Sequence, residues 1–560
     1  MAQSRFADRE TVQWFLRPTF RSSKSVRHID KAKMDAVLDQ SSKSFFANQR
    51  LSILTALVAG IAASFLVVAI RGVPAPRIQD EFAYLLASET FASGRVTNPT
   101  HPMWQHFESF HIIHQPSYNA KYPPLQSMTL TVGRWLGHPI IGACLASGIS
   151  IAALVWMLYG WLPEKVHWLA WIIAVTHPSF HLFWAHSYMG GAVALTGASL
   201  LLGAFVRLDH RLDYRLGIVA GLGVVLLANS RPFEGLVLTI AVATGLIVCW
   251  ARTPEWTPKN FVGAILVPTV ATLAIGVAGM LFYNQQVTGN ALTMPYQVHE
   301  STYGWNPVFL WQTAGDKPEY RHVEMDRFFT EDKETTEVAY STIEKTFQKK
   351  RTVVIGLLAF LCGPLILAAI PGAFFYREPK VVYLFAFLLP VFVASIISKW
   401  ANFHYAAPAT PLMLAFMIGG VYAGWERLQS YASLRRILVL LLSALHLVWF
   451  INVYSDTQKL HNGNWGKLRM EVIDQLESTD SDDLVFVRYT DDHNVHQEWV
   501  YNSADIDASS IVWAREINPE RRVKLIEYFA DRRVWILTAD KDSYRLEPNS
   551  EPTLSSPDQH

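Results

Sequence analysis

Long apolar runs alternate with short charged connectors over most of this chain. A run of ~20 mostly apolar residues, at 1.5 Å rise each, is long enough to cross a bilayer. The pattern predicts eleven such runs, at 51–70, 140–158, 168–184, 189–205, 216–228, 235–250, 261–283, 353–375, 381–397, 405–424 and 437–454. Three long polar segments interrupt or follow them, at 71–139, 284–351 and 455–560. Gly217 and Gly221 form a small-xxx-small pair, which predicts close packing between two spans.

Lysine and arginine accumulate on the cytoplasmic side of membrane proteins, so the connectors set an orientation. With the basic 1–50 segment inside, the inner connectors carry Lys165; Arg207, Arg211 and Arg215; Arg252 and Lys259; Arg377 and Lys380; and Arg427, Arg435 and Arg436. The short outer connectors carry only Arg231 and Lys399. This alternation predicts that the three polar segments and the C-terminus face outward. The first apolar run lies too far along the chain for an ordinary cleavable signal and reads as an uncleaved anchor.

The segment 455–560 follows a different pattern. A helix is expected over 465–476, strands over 484–489 and 511–514, a helix over 520–530 and a strand over 533–538. Asn518 and Pro519 mark the second helix start as N-cap and first helical residue. Strands alternating with helices predict a small α/β unit with a parallel or mixed sheet. Two layers around so few strands could be stable only if docked on the membrane part or closely packed. The expected organisation is a 1–50 cytoplasmic segment, a 51–454 transmembrane domain with outer loops 71–139 and 284–351, and a 455–560 outward α/β domain. The last ten or so residues are polar and are expected to be disordered.

Composition agrees with this division. About half of the 560 residues are hydrophobic (51%) and 17% are charged, with a formal net charge of +1, so no global charge points to nucleic acid. Cys144, Cys249 and Cys362 all fall in apolar runs, which excludes a disulfide framework or a cysteine zinc cluster. The chain has no Asn-x-Ser/Thr acceptor sequence with a permitted middle residue, in keeping with a bacterial inner membrane.

Candidate chemistry gathers at the outer ends of the spans. The first polar loop opens Gln79-Asp80-Glu81-Phe82-Ala83-Tyr84, two adjacent carboxylates at a predicted helix start, and closes Lys121-Tyr122-Pro123-Pro124. Acidic residues also suit the positive end of a helix for purely structural reasons. Arg231 and Lys399 occupy outward turns, the second followed by His404-Tyr405. Lone cations there can instead reach lipid head groups. His101, His106, His111 and His114 share the first loop with Glu108, in a spacing that matches no strong metal signature. The second loop carries His299-Glu300 and Tyr303, which suit sugar contacts or an interfacial aromatic belt.

The acidic pair with a following aromatic, the long first outer loop and its Lys-Tyr-Pro close together resemble membrane glycosyltransferases of the GT-C class. That class includes protein O-mannosyltransferases, the aminoarabinose transferase of lipid A and bacterial lipopolysaccharide-decorating enzymes. The resemblance covers roughly 51–454 and implies a mainly α, polytopic GT-C fold of about eleven spans, followed by the small α/β domain. It implies transfer of a sugar from a polyprenyl-phosphate donor to a glycan, lipid or protein acceptor on the outer face, by a single inverting displacement. Asp80 matches the class's base and Glu81 its neighbour. Lys121 matches the donor-phosphate position, to which Arg231 and Lys399 are added. Tyr84, Tyr122, His186, His299, Tyr303 and His404 are the expected substrate contacts.

No cofactor is required by the resemblance, and a divalent metal is compatible with it. The expected partners are the lipid-linked donor, membrane lipid and the acceptor, with no nucleic acid. The expected location is a bacterial inner membrane, with the site and C-terminal domain on the periplasmic or extracellular side. Several members of the class have a second carboxylate in the next outward turn, whereas this chain has His186 in Ala185-His186-Ser187-Tyr188. A polytopic transporter or a non-catalytic envelope-assembly protein is the alternative. A transporter would place ionisable groups near span midpoints and show related halves.

Overall fold

The computed structural model describes residues 48–208, 212–368, 380–400 and 402–549. Most of the basic 1–50 segment, Arg211, Arg377, the end of the 353–375 run and the polar C-terminal residues lie outside the described residues. Among the described residues, seven helices are long and apolar enough to cross a membrane: α1 (Gln49–Arg71), α4 (Pro139–Trp161), α6 (Gly191–Leu208), α8 (Pro232–Arg252), α9 (Pro258–Thr288), α13 (Lys380–Ile397) and α15 (Ala432–Asn462). Of the other expected runs, 216–228 is the shorter apolar helix α7 (Tyr214–Ala228). The 168–184 run is split into α5 (His167–Val175) and a π-turn at Phe180–Trp184. The remaining two fall on α12 (Ile343–Leu361), whose first half is charged, and α14 (Thr410–Arg427).

Glycine sets the closest helix contacts. A Cβ on Gly217 would lie 2.8 Å from the Ala264 carbonyl oxygen, and one on Gly221 2.9 Å from that of Thr269, so α7 and α9 pack backbone to backbone. In the first loop, α3 (Leu125–Trp135) approaches α4 in the same way. A Cβ on Gly142 would lie 2.1 Å from the Thr129 carbonyl oxygen.

The first outer segment folds as α2 (Gln79–Ala92), followed by a small antiparallel sheet of β1 (Asn98–Pro99), β2 (Ile112–Ile113) and β3 (Ser117–Ala120), with β3 central. The second forms α10 (Pro295–Tyr303) and α11 (Val323–Tyr340). Beyond Tyr454 the last apolar helix runs without a break to Asn462. The C-terminal unit comprises α16 (Gly466–Glu477), β4 (Asp483–Tyr489), β5 (Ile511–Arg515), α17 (Pro519–Tyr528), β6 (Arg533–Ala539) and β7 (Tyr544–Pro548). Its sheet order is β5-β4-β6-β7, parallel except for the antiparallel β7. Asn518 caps α17 through a 2.8 Å bond from the Arg521 amide.

This sheet is docked. Leu484, Phe486, Val512 and Ala514 on one face share a core with Phe82, Ala83, Leu86 and Ala87 of α2, with Leu525 of α17 and with Phe529 just after it. The other face packs Val485, Val487, Trp513 and Leu537 against Val472 and Leu476 of α16. Phe82 stacks on Tyr501 with ring centroids 4.1 Å apart. The lead-in to α16 grips the turn before α2: Asn464 Nδ2 donates to the Ala75 carbonyl (2.7 Å), and Trp465 Nε1 to that of Arg77 (2.9 Å).

The same contact defines a test. A Cβ on Gly466 would lie 2.0 Å from the Pro76 carbonyl oxygen, a clash with backbone that no rotamer relieves, whereas one on Gly463 meets Lys459 O at an ordinary 3.4 Å. Gly466→Ala is expected to cost ~1–3 kcal/mol, lowering the thermal unfolding temperature and exposing the C-terminal unit to limited proteolysis. Gly463→Ala is the control; equal behaviour of the two variants would remove the proposed fit at Pro76.

Candidate active site

Glu81 fixes the start of α2. Its Oε2 accepts from the Arg77 amide (3.0 Å) and the Ile78 amide (3.3 Å), and its Oε1 accepts from the Tyr188 amide (3.0 Å). The side chain is buried, and burial alone moves its pKa upward against these bonds. Glu81 therefore ties the first loop to the turn after the π-helix, and its lone pairs are occupied by backbone.

Asp80, one residue earlier, faces a different space. Tyr122 Oη donates to Asp80 Oδ1 at 2.6 Å, and His111 Nδ1 lies 2.8 Å from the same oxygen and 2.9 Å from Tyr122 Oη. Oδ2 has no hydrogen-bond partner among the described residues, and the side chain keeps 20% of its surface exposed. Burial raises the Asp80 pKa. The His111 and Tyr122 bonds outweigh it and hold the carboxyl well below the usual range. Asp80 is thus ionised at neutral pH, with one oxygen tethered and the other open.

His111 reaches this position through an uncommon backbone conformation. Its φ of 63° lies in the left-handed region, which residues other than Gly seldom adopt. The strand pairing that follows holds it there, with Ile112 opposite Ala120 and Ile113 opposite Asn119. The Lys121 amide also donates to the His111 carbonyl at 3.2 Å.

Tyr84 and three further elements complete the chamber. Tyr84, on the next turn of α2, stacks on Tyr122 at 4.9 Å. Arg231, in the turn before α8, lies over the Tyr405 ring at 4.4 Å, within electrostatic reach of Asp80 and Tyr84, and its buried Nε has no hydrogen-bond partner. His404, buried in the turn before α14, is also within electrostatic reach of Asp80. From α10, Glu300 accepts from Lys121 Nζ at 3.4 Å and lies 3.2 Å from His299 Nδ1, while Lys121 Nζ sits 5.2 Å from the Tyr296 ring centroid. The His299 and His111 rings are 5.9 Å apart. Burial pushes His299 down to about 3, so it is neutral; Lys121 draws Glu300 down to about 2 against its own burial.

Asp80, Lys121, Tyr84, Tyr122, Arg231, His299 and His404 are therefore one neighbourhood. Two expected residues lie elsewhere, and Tyr303 stands at the edge of the group, its ring 5.3 Å from that of His299. His186 Nε2 lies 3.0 Å from the Gly72 carbonyl oxygen and its ring 5.3 Å from that of His461, on the Glu81 side of the α2 start. Lys399 faces the second outer segment, where its charge meets that of Glu337 and its carbonyl accepts from Tyr340. Tyr303 donates to Glu108 at 2.8 Å.

Glu108 is the centre of a second polar cluster. It pairs with Arg321 at 2.7 Å and with His322 at 3.3 Å. Its carbonyl accepts from Arg515 Nε at 2.8 Å, and Arg515 also pairs with Glu498 and Glu324. The two outer loops and the C-terminal sheet meet here. His111, Tyr296, Glu300 and Tyr405 join the site without being among its expected residues; the histidine-rich first loop, the His299-Glu300 pair and the aromatic following His404 are the sequence signals for them. Among the described residues no group of three or more His, Cys, Asp or Glu side chains is arranged to hold a metal ion.

No protein-family model matches the sequence. No curated protein matches it either. Among solved structures, the chain is similar to the Archaeoglobus fulgidus oligosaccharyltransferase tethered to an acceptor peptide containing the NVT sequon. The TM-score is 0.51 at 10% identity, over 88% of this chain and 69% of that one. The oligosaccharyltransferase AglB of the same organism, in complex with an inhibitory peptide and a dolichol-phosphate, gives 0.44 at 13% identity, over 87% and 69%. The apo form gives 0.48 at 12% identity, with the same coverage. The chain thus has a GT-C fold, as the first-loop motifs imply.

The second cluster yields a pH test. Burial raises the Glu108 pKa, but His322, Arg321 and Tyr303 bring it down to about 2 from 4.5. A depressed carboxylate contributes stability that is complete above its unfolded value and lost as pH falls through the folded one. Wild-type thermal stability should therefore fall between pH 4.5 and 2 more steeply than that of Glu108→Gln. Parallel melting curves for the two proteins would show that Glu108 is not held by this cluster.

Proposed function

We propose that this chain is a membrane glycosyltransferase that moves a sugar from a polyprenyl-phosphate-type donor to a glycan, lipid or protein acceptor on the outer face. The observation that carries this reading is Asp80, ionised, with Oδ1 held by Tyr122 and His111 and Oδ2 open, near Arg231, whose buried Nε has no hydrogen-bond partner. The GT-C fold supports it.

On this reading the acceptor oxygen attacks the anomeric carbon from one face. The carbon–oxygen bond to phosphate breaks on the other, and its electron pair leaves with the phosphate. The proton of the acceptor hydroxyl passes to Asp80 Oδ2. Phosphate departs as an anion and needs cations rather than an acid; Arg231 and Lys121 supply them. Lys121 is the less free of the two, because Glu300 already pairs with it. Tyr84, Tyr296 and Tyr405 offer ring faces to the sugar, and His299 and His404 offer neutral polar edges. Glu81 acts as a positioning residue. The C-terminal unit stands behind α2 on the same outer side, in a bacterial inner membrane.

The reading is tested by transfer of radiolabelled sugar from a panel of polyprenyl-phosphate donors in purified membranes. Asp80→Asn should retain the fold and lower the rate ~10²–10⁴-fold. Arg231→Ala should weaken donor use about tenfold or more, with the larger change in donor KM. Full transfer by Asp80→Asn at equal protein level would remove the base assignment. Absence of transfer from every donor by folded wild-type protein would favour transport or envelope assembly.

A further inference from the structure

The second outer segment carries a basic groove that shares no residue with the Asp80 chamber. It lies where α11 ends and α12 begins, has a volume of ≈ 380 Å³, and is open along one side. Val338 lines it from α11, and Lys345, Lys349 and Arg351 line it from α12. Lys345, Gln348, Lys349 and Thr352 recur at the i, i+3, i+4 and i+7 positions of one helix face, with Arg351 at its edge.

The opposite face of the same two turns is apolar and uncovered. Ile343 is 91% exposed and Phe347 67%, so the apolar surface of the 353–375 run continues outward past the charged residues. Lipid is the cover available to such side chains at the end of a span. The head-group layer adds ~5–7 Å to each side of the hydrocarbon core. Lys349 stands ~6 Å of helix axis before Val353 and Arg351 ~3 Å, and Lys345 is one turn further out. The basic face is therefore at the depth of lipid phosphates.

Its charge is uncompensated. Among the described residues no carboxylate lines the groove, and Lys345, Lys349 and Arg351 have no ion-pair partner. Of the neighbouring carboxylates, Glu344 accepts from Gln348 at 3.0 Å and Glu337 pairs with Lys333 at 2.6 Å. Lys350 turns away to the Ser398 carbonyl and the Tyr340 ring, and burial together with the Lys349 charge lowers its pKa to about 8. Like charges one helical turn apart repel, so an anion seated between Lys345, Lys349 and Arg351 relieves the helix.

We propose that this groove holds the phosphate of an anionic phospholipid from the leaflet on the chamber's side. Lys345, Lys349 and Arg351 are its ligands, and Val338 meets the glycerol and the first acyl carbons. The uncovered Ile343 and Phe347 at the same level favour a lipid over a soluble phosphate. The assignment stands on the groove, its cations and the apolar face behind them, and does not depend on the glycosyltransferase reading.

The full chain is placed in phosphatidylcholine nanodiscs with increasing fractions of phosphatidylglycerol, and the phosphatidylglycerol retained on release is counted by native mass spectrometry. Wild type should retain it at a saturable site. Lys345→Gln, Lys349→Gln and Arg351→Gln should each weaken that site about fivefold, and the triple variant on the order of 100-fold. Lys345→Arg with Lys349→Arg should keep it, and Arg545→Gln, in the C-terminal unit, should leave it unchanged. All variants should melt within the wild-type transition. Retention unaffected by the triple substitution, or no preference for phosphatidylglycerol by folded wild type, would overturn the proposal. Displacement of the lipid by inorganic phosphate at equal concentration would assign the groove to a soluble anion and overturn it as well.

Discussion

The carboxylate of Glu81, accepting from the backbone amides of Arg77, Ile78 and Tyr188, is the interaction on which the outer architecture depends. A buried carboxylate without such bonds would cost several kcal/mol, so the three amides and the side chain fix one another. The consequence is a rigid entry into α2 directly above the first span, braced from the membrane side by the 188 turn. Asp80 and Glu81 are neighbours in sequence but diverge by about 100° around the helix. One carboxylate is spent on geometry, which leaves the other oriented and open.

The next constraint is that no outer segment encloses the site by itself. The first loop supplies Asp80, His111, Lys121 and Tyr122, α10 supplies Glu300, and the turns at Arg231 and His404 close the membrane side. The C-terminal sheet packs Phe486 and Val512 on the far side of α2, so the element carrying Asp80 lies between the chamber and that core. Arg515 and Glu108 then join both loops to the sheet through charge-assisted bonds. Buried pairs of this kind contribute specificity of arrangement more than net stability.

What the sequence made legible follows from the range of the forces involved. Apolar runs are local, so the long spans could be read directly, whereas α5, stopped at Val175 before a π-turn, and α12, with Lys345, Lys349 and Arg351 in its first half, blur the count. The strands 484–489 and 533–538 and the Asn518-Pro519 helix start were legible for the same reason. β7 was not, because Tyr544-Arg545-Leu546-Glu547-Pro548 is largely polar and pairs only because β6 offers an edge. In the site, Asp80, Lys121 and Tyr122 lie within recognisable motifs. His111 does not: its place beside Asp80 arises from a left-handed residue and a hairpin register. His186 shows the converse, since outward position and residue type suggested the chamber while its partner is the Gly72 carbonyl.

A carboxylate whose proton affinity is held low would be a poor base if it had to remove a proton from a resting hydroxyl. On the glycosyltransferase reading it does not. The acceptor oxygen becomes strongly acidic only as it bonds to a carbon that is already losing its phosphate, so the proton is shed late and a weak base suffices. The tethers from Tyr122 and His111 then have two effects that work together. They keep Asp80 anionic, so that it opposes the positive charge developing at the sugar before it takes the proton. They also engage only Oδ1, so the oxygen that receives the proton is the one not held by the protein. Arg231, with its unpartnered Nε, completes the division of charge: the anion faces the attacking side, and the cation is left for the group that departs.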